Sequence, residues 1–381
     1  MPSPTSTQTA GGTAQTTGSP ATAPSATGIT PFRRATKEHR EPVNTSNYTL
    51  SASTQNPPGG VISVPAYGYL RGLKVTVTLT GGAGTVVFQE DAPWNILQNL
   101  IFSEPNGAQI VQFSSGYNLY LAQKYGGYFG FSDPKGSMYN FSTTGGNGTF
   151  TYWIPFELLN RDGLGSLPNQ NAAALFQFRY TLSAASTVFS TVPTTMPSVT
   201  VAIQAYEFDQ PQSSTDGMPN QTTPPAMNTT QFWSEQNYPV TAGSNRIRLT
   251  RVGNYIRHLG LIYRTTTRAG GDTNFPDPVE IDLDARPVDF VPKVLMRDTM
   301  YNRYGYSPNV LDGQAAGTQD SGVYWYDLAH EFDGSVGFEN RDGWWKTFGS
   351  SRLEVVGNFP TAGTLTVLTN DVSVASNIFR S

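Results

Sequence analysis

The 381-residue sequence contains no cysteine. Disulfides, thiolate metal sites and a cysteine nucleophile are therefore excluded, and stability must come from burial, the backbone ladder or association. Charge is scarce as well. Only 14% of residues are Asp, Glu, Lys or Arg, against about a quarter in ordinary globular chains. Such a surface suits a protein that packs against neighbours. The formal net charge of −4 gives no broad attraction for nucleic acid. No apolar run approaches the ~18 residues of a membrane-spanning helix. The first residues have no charged segment followed by an apolar one, so no secretory leader is expected. Six Asn-X-Ser/Thr triplets, at Asn44, Asn47, Asn140, Asn147, Asn220 and Asn228, are then read as a by-product of a Thr- and Asn-rich composition.

What is present is equally informative. The chain has 38 Gly and 27 Pro, with 12% aromatic residues. Together with abundant Thr, Ser, Asn and Val, this is the profile of many short strands joined by turns. The length allows two ordinary domains or one large one.

Residues 1–30 carry no charged side chain and few bulky apolar ones. They cannot bury enough surface to offset the entropy of ordering, so residues 1–44 are expected to form a disordered or extended N-terminal arm. The arm includes "FRRATKEHR", where Arg33, Arg34, Lys37 and Arg40 cluster against Glu38. The cluster is either a solvated junction or a contact with phosphates, of lipid headgroups or nucleic acid. Four cations are few for neutralising packaged RNA.

Strand signals begin near residue 45. In "LRGLKVTVTLTGG", Leu73, Val75, Val77 and Leu79 alternate with Lys74, Thr76, Thr78 and Thr80. "APWNILQNLIFSEPNG" holds Trp94 and a Pro105-Asn106-Gly107 turn. "SSGYNLYLAQKYGG" predicts a helix capped by Ser114 or Ser115, with Tyr117, Tyr120 and Leu121 on one face and Gly126 as a left-handed stop. Three further strands follow, in "FTYWIPF", "ALFQFRYTLS" and "SVTVAIQAYEF".

Residues 209–230 are polar and Pro-rich without periodicity, which predicts a linker between a first domain at 45–208 and a second at 231–381. The pattern then restarts. "NYIRHLGLIYR" and "PVEIDLDARP" read as strands. "DFVPKVLMRDTMYNRYG" predicts a helix capped by Asp289, with Val291, Val294 and Leu295 on one face. "GVYWYDL", "SRLEVVGNF" and "GTLTVLTNDVSV" close the chain. The halves agree in order. The helices end Lys-Tyr-Gly and Arg-Tyr-Gly, at Gly126 and Gly305, and each is followed by a Tyr-Trp strand, at Trp153 and Trp325. The expected fold is all-β: two tandem eight-stranded jelly-roll sandwiches, each with a short helix inserted. Doubled sheets cover most strand edges. Trp94, Trp153 and Trp325 are expected to anchor the two cores.

Motifs for chemistry are few. His39, His258 and His330 show no ligand spacing. Glu280, Asp282 and Asp284 are read on one face of a strand, as a polar face or as a cation or acid–base site. No nucleophile elbow, phosphate loop or His-Glu-x-x-His occurs. No cofactor, resident metal or catalytic residue is expected, so the chain is not read as an enzyme.

The order of these segments resembles the double jelly-roll major capsid proteins of tailless, internal-membrane-containing icosahedral bacteriophages, the tectivirus type. The resemblance runs from about residue 60 to the end. It rests on "YLRGLKVTVTLT", "APWNILQNLIFSEPNG", "SGYNLYLAQKYG", "TYWIPFELL", "GVYWYD", "SVTVAIQAYEF" and "AGTLTVL". The Thr/Ser/Pro-rich first sixty residues depart from the short helical, Gln-rich segment of that family. The resemblance implies a structural protein forming pseudo-hexagonal homotrimers that tile an icosahedral shell over a lipid membrane. Its implied partners are neighbouring trimers, penton or vertex and minor capsid proteins, and the membrane through Arg33, Arg34, Lys37 and Arg40. No direct sequence-specific nucleic-acid binding is implied. Its place would be the virion shell, after synthesis in the host cytoplasm. Two alternatives stand beside it: a secreted carbohydrate-binding or glycoside-processing β-sandwich protein, and a single-stranded-RNA virus coat protein, which the nearly neutral tail and the duplication disfavour.

Overall fold

A computed structural model describes residues 28–128, 141–158, 162–227, 229–266, 268–304, 320–329 and 343–373. Alternating side chains and turn residues build sixteen principal strands, eight in each half. In the first half these are β1 (Glu38–Thr49), β2 (Ile62–Ser63), β3 (Tyr69–Thr80), β4 (Leu97–Ser103), β5 (Gln109–Ser115), β6 (Gly148–Pro155), β7 (Gln177–Leu182) and β8 (Ser198–Phe208). In the second they are β9 (Gln231–Val240), β10 (Gly243–Leu249), β11 (Tyr255–Arg264), β12 (Val279–Leu283), β13 (Arg286–Val291), β14 (Val323–Asp327), β15 (Leu353–Phe359) and β16 (Gly363–Val372). Helix α1 (Gly116–Tyr125) lies between β5 and β6, and α2 (Lys293–Tyr304) between β13 and β14.

The sheet orders repeat. The first half pairs β1-β8-β3-β6 in one sheet and β5-β4-β7-β2 in the other. The second pairs β14-β11-β16-β9 and β10-β15-β12-β13. Each half is thus a jelly-roll sandwich of two four-stranded sheets. Even an irregularity repeats, since the third and eighth strands of each roll slip register at one place, Tyr206/Glu207 and Ile256/His258. The alternation in β3 puts Leu73, Val75, Val77 and Leu79 in the core, while Lys74, Thr76 and Thr78 are half-exposed and Thr80 exposed.

The rolls are not separate bodies. Strand β9 of the second runs parallel to β5 of the first, with Trp233 opposite Val111, and this joins one sheet from each roll into a single nine-stranded sheet. The largest apolar core crosses the junction. It includes Trp233, Ile262, Val323, Trp325 and Leu368 with the residues of the first roll.

Several expectations are corrected. Phe32–Ala35 form a helical turn with Phe32 buried against Tyr69 and Phe208, and β1 starts at Glu38 rather than beyond residue 44. Residues 28–44 are therefore not an extended arm, because this turn and strand have an apolar anchor and a pairing partner in β8. Residues 1–27 lie outside the described residues. The linker carries a small hairpin, Ser214–Thr215 with Met218–Pro219, and Thr30 pairs with it through Pro219 and Gln221. Ser115 caps α1, its hydroxyl accepting from the Tyr117 N–H. Gly126 keeps a negative φ of −85°, and Gly127 takes the left-handed position with φ 80°. In α2, Asp289 remains in β13, and Asp277 accepts from the Lys293 N–H at 3.0 Å in its place. The face expected inward is turned out: Val294 and Leu295 are exposed, while Met296 and Met300 are buried at i, i+4 spacing.

Candidate functional site

The site is the seam between the rolls and the two sheet edges that correspond to it. The seam is built by the end of α1, which inserts against the outer face of the β14-β11-β16-β9 sheet. Trp325 lies there with Tyr125 at 5.7 Å, His258 at 6.2 Å and Trp233 at 6.4 Å between ring centroids. His258 stacks on Trp233, and its Nδ1 lies 3.2 Å from Asp327. Lys124 and Asp320 form a buried ion pair across the seam at 2.5 Å, and the Tyr125 hydroxyl donates to the same carboxylate at 2.8 Å. Along the paired strands, the Ser114 N–H and hydroxyl both donate to Glu235. The seam is largely aromatic and buried, and a charge pair pins it, as in a permanent interface.

Repetition makes the two halves comparable residue by residue. Tyr-Leu-Arg-Gly-Leu-Lys-Val at 69–75 matches Tyr-Ile-Arg-His-Leu-Gly-Leu at 255–261, with both arginines buried. Sequence reading passed over this match, though the Tyr-x-Arg-x-Leu spacing was available to find it. Strand registers carry it outward. Gly72 faces Tyr206 as His258 faces Asn370. Tyr206 in turn faces Arg40 as Asn370 faces Trp233. Arg40 thus occupies the place that Trp233 holds in the seam, and Trp153 the place of Trp325.

Trp153 does not anchor the first core, contrary to expectation. Strand alternation turns Phe150, Tyr152 and Ile154 inward, while Trp153 is half-buried on the outer face. Its ring meets Tyr206 edge-on at 5.2 Å, and the Arg40 guanidinium lies 5.0 Å over Tyr206. Trp94 is in the core, stacked on Tyr120 at 4.2 Å, and its carbonyl accepts from the Tyr152 hydroxyl. Trp325 is buried, but in the seam rather than inside its own roll.

Two strand edges correspond to the joined pair. They are β1, which pairs with β8, and β13, which pairs with β12. The edge of β13 and the adjoining face of α2 are apolar and open. Phe290 is 62% and Val294 73% exposed, with Val288, Leu295 and Tyr301 around half exposed.

The basic cluster is divided. Arg33 bonds Glu38 at 2.5 Å and lies over Phe208, Arg40 lies over Tyr206, and Arg34 and Lys37 are exposed. The acidic trio of the second roll is split, with the Glu280 carboxyl hydrogen-bonded beside Asp282 and raised by it, and Asp284 apart from both. Asp282 is buried and shares Arg246 with Glu354, at 2.5 and 2.8 Å. Asp284 lies beyond the strand at φ 51°, where it accepts from the Ser351 and Arg352 N–H groups, which hold its carboxyl below the usual range. These are structural pairings. His330 lies outside the described residues.

Neither a protein-family model nor a curated protein sequence matches the chain. Solved structures do. The major capsid protein of Sulfolobus Turreted Icosahedral Virus is similar over 91% of this chain and all of its own length, at 13% identity and a TM-score of 0.59. The PBCV-1 virus capsid structure is similar over 88% of this chain and 93% of its own, at 10% identity and a TM-score of 0.53. The major capsid protein P2 of bacteriophage PM2 covers 90% and 99%, at 11% identity and a TM-score of 0.50. Likeness at such low identity speaks to architecture. The chain has the double jelly-roll fold of these proteins.

Proposed function

We propose that the protein is the major capsid protein of an icosahedral virus, a structural subunit that assembles as a ring of three copies. The observation that carries this reading is the matched pair of open edges. Within the chain, the fifth strand and helix of roll one cover the first strand and outer face of roll two. The equivalent surfaces left over are β13 with α2 at one end of the molecule and β1 with Trp153 at the other. A second copy fits them head to tail, and such a heterologous contact closes into a ring when its rotation does. Three copies give six rolls and a pseudo-hexagonal outline. The residues also grade as such an arrangement requires. The in-chain seam has Trp233, Trp325, Ile262 and Leu368, whereas the open face has Arg40, Trp153, Thr76 and Gln204 at those positions. A face exposed before assembly must remain soluble, and a more polar one does.

The finer expectations belong to the same reading. Such rings would tile a virion shell over an internal membrane, beside separate vertex and minor proteins, after synthesis in the host cytoplasm. Arg34 and Lys37 are the cations free to meet anionic headgroups, and replacing both with Gln should weaken binding to anionic vesicles.

Light scattering behind a sizing column tests the assembly. Three 41.3-kDa chains give a species of about 124 kDa. Phe290→Lys with Val294→Glu should yield a monomer of unchanged circular dichroism. A clean monomer from the unmodified protein would overturn the reading. It would direct attention to glycan binding, for which the Trp153–Tyr206 face is the candidate platform.

A further inference from the structure

The first roll contains a buried carboxylate whose twin in the second roll is neutralised and which is not neutralised itself. The register that matches Leu70 with Ile256 matches Glu207 with Asp371, since each faces that residue across the slipped pair. Both are about 1% exposed. Asp371 receives two hydrogen bonds from Arg251, at 2.8 and 2.7 Å, and one from Asn254 at 2.6 Å. Arg251 comes from the loop before β11. The corresponding loop before β3 reads Val-Pro-Ala-Tyr at 64–67 and supplies no cation.

Glu207 instead accepts from the Asn169 amide at 3.1 Å, and its second oxygen is buried with no partner among the described residues. The groups around it are wrong for an anion but right for a metal. His39 faces Glu207 across the β1–β8 ladder, and Glu41 lies two residues along the same strand face. One ligand atom from each of His39, Glu41 and Glu207 falls within 4.8 Å of the others. Asp209, which holds the Tyr67 hydroxyl at 2.9 Å, adds further negative charge, and Tyr67 stacks under His39 at 4.3 Å. In the second roll Phe232 stands in place of His39 and Ser234 in place of Glu41, and the Arg251 guanidinium lies 5.4 Å over Phe232. Where one roll has a guanidinium and a phenyl ring, the other has an imidazole and a second carboxylate.

We propose that His39, Glu41 and Glu207 bind one divalent transition-metal ion, of which Zn2+ is the type, in the place that Arg251 takes in the second roll. Imidazole with two carboxylates is a donor set for such ions, with distances of about 2.0–2.2 Å that a small inward turn of the half-buried His39 and Glu41 supplies. A buried carboxylate without a counter-charge is costly, and a bound dication removes that cost. The Glu207 carboxyl is pushed up to about 7 by burial, with the charges of Glu41 and Asp209 adding to it.

The test is calorimetric titration of the purified full-length chain, stripped with chelator, with ZnCl2 alone at pH 7.5, and MgCl2 as the control. The expected result is one Zn2+ per chain, with an affinity at least about tenfold weaker in Glu207→Gln and in His39→Phe. His39→Phe restores the side chain that the second roll uses, so it should fold even if Glu207→Gln does not. The thermal midpoint of the unmodified chain should rise with Zn2+, and that of His39→Phe should not. Sub-stoichiometric uptake, or uptake unchanged in His39→Phe, would overturn the site. The measurement reads each chain separately, so its failure leaves the capsid reading untouched, and a monomeric chain would still bind.

Discussion

One buried pair and one buried carboxylate show what burial demands of charge in this protein. Lys124 and Asp320 are both about 1% exposed and bridge the rolls. Removing one partner strands the other in a buried seam. Asp320→Ala should cost about 3–5 kcal/mol in urea unfolding, and Lys124→Met with Asp320→Leu should recover much of it. Glu207 illustrates the opposite case, a carboxyl pushed up to about 7 by burial from its ordinary value of 4.5. The raised value means the native state holds its proton more tightly than the unfolded chain. Stability from this group is fully present below about 4.5 and is lost as pH rises to about 7. In metal-free buffer, stability should therefore decline across that window in the unmodified protein. In Glu207→Gln this decline should be smaller, since Glu157 and Asp371 are also raised by burial, and a decline of the same size in both proteins would contradict the assignment.

Elements here are set by local signals with tertiary exceptions. The turn at Pro105-Asn106-Gly107 joins β4 to β5 with Gly107 at φ 87°, and Asn106 accepts from the Ala108 N–H. Gly107→Ala forces a side chain into the left-handed region and should cost about 1 kcal/mol. Ser115→Ala removes the α1 cap and should cost a similar ~1 kcal/mol, measured by the same denaturation curves. Alternation in β3 and β6 was legible because each strand buries one face. Tyr152 and Ile154 are inward, so the same alternation puts Trp153 on the outer face, one residue out of phase with the inward alternation expected of it. Strand β14 gave no such signal. All of Val323–Asp327 is buried, since the core takes Tyr324 and Tyr326 while the seam takes Val323 and Trp325. In α2 the error had the same root. Exposed Val294 and Leu295 read as a core face because an apolar stripe does not say which partner covers it.

At the scale of the molecule, the parallel junction of β5 with β9 and the shared core tie the rolls into one unit. Thermal unfolding should be a single transition, with calorimetric and van't Hoff enthalpies in agreement. Two resolved transitions would show that the rolls unfold independently. The second roll expressed without the first should expose Trp233 and Trp325 and aggregate. What the sequence determined by itself was the plan: all-β composition, strand alternation, turn residues, one helix per half and the duplication. These are local signals, written within a few residues of where they act. The tertiary structure decided which faces of the two copies meet, which edges stay open, and which buried carboxylate gains an arginine. Those outcomes depend on pairings between residues more than a hundred positions apart, such as Lys124 with Asp320 and Arg251 with Asp371. No local spacing encodes such a pairing, because the loop entropy and burial that settle it are properties of the whole chain.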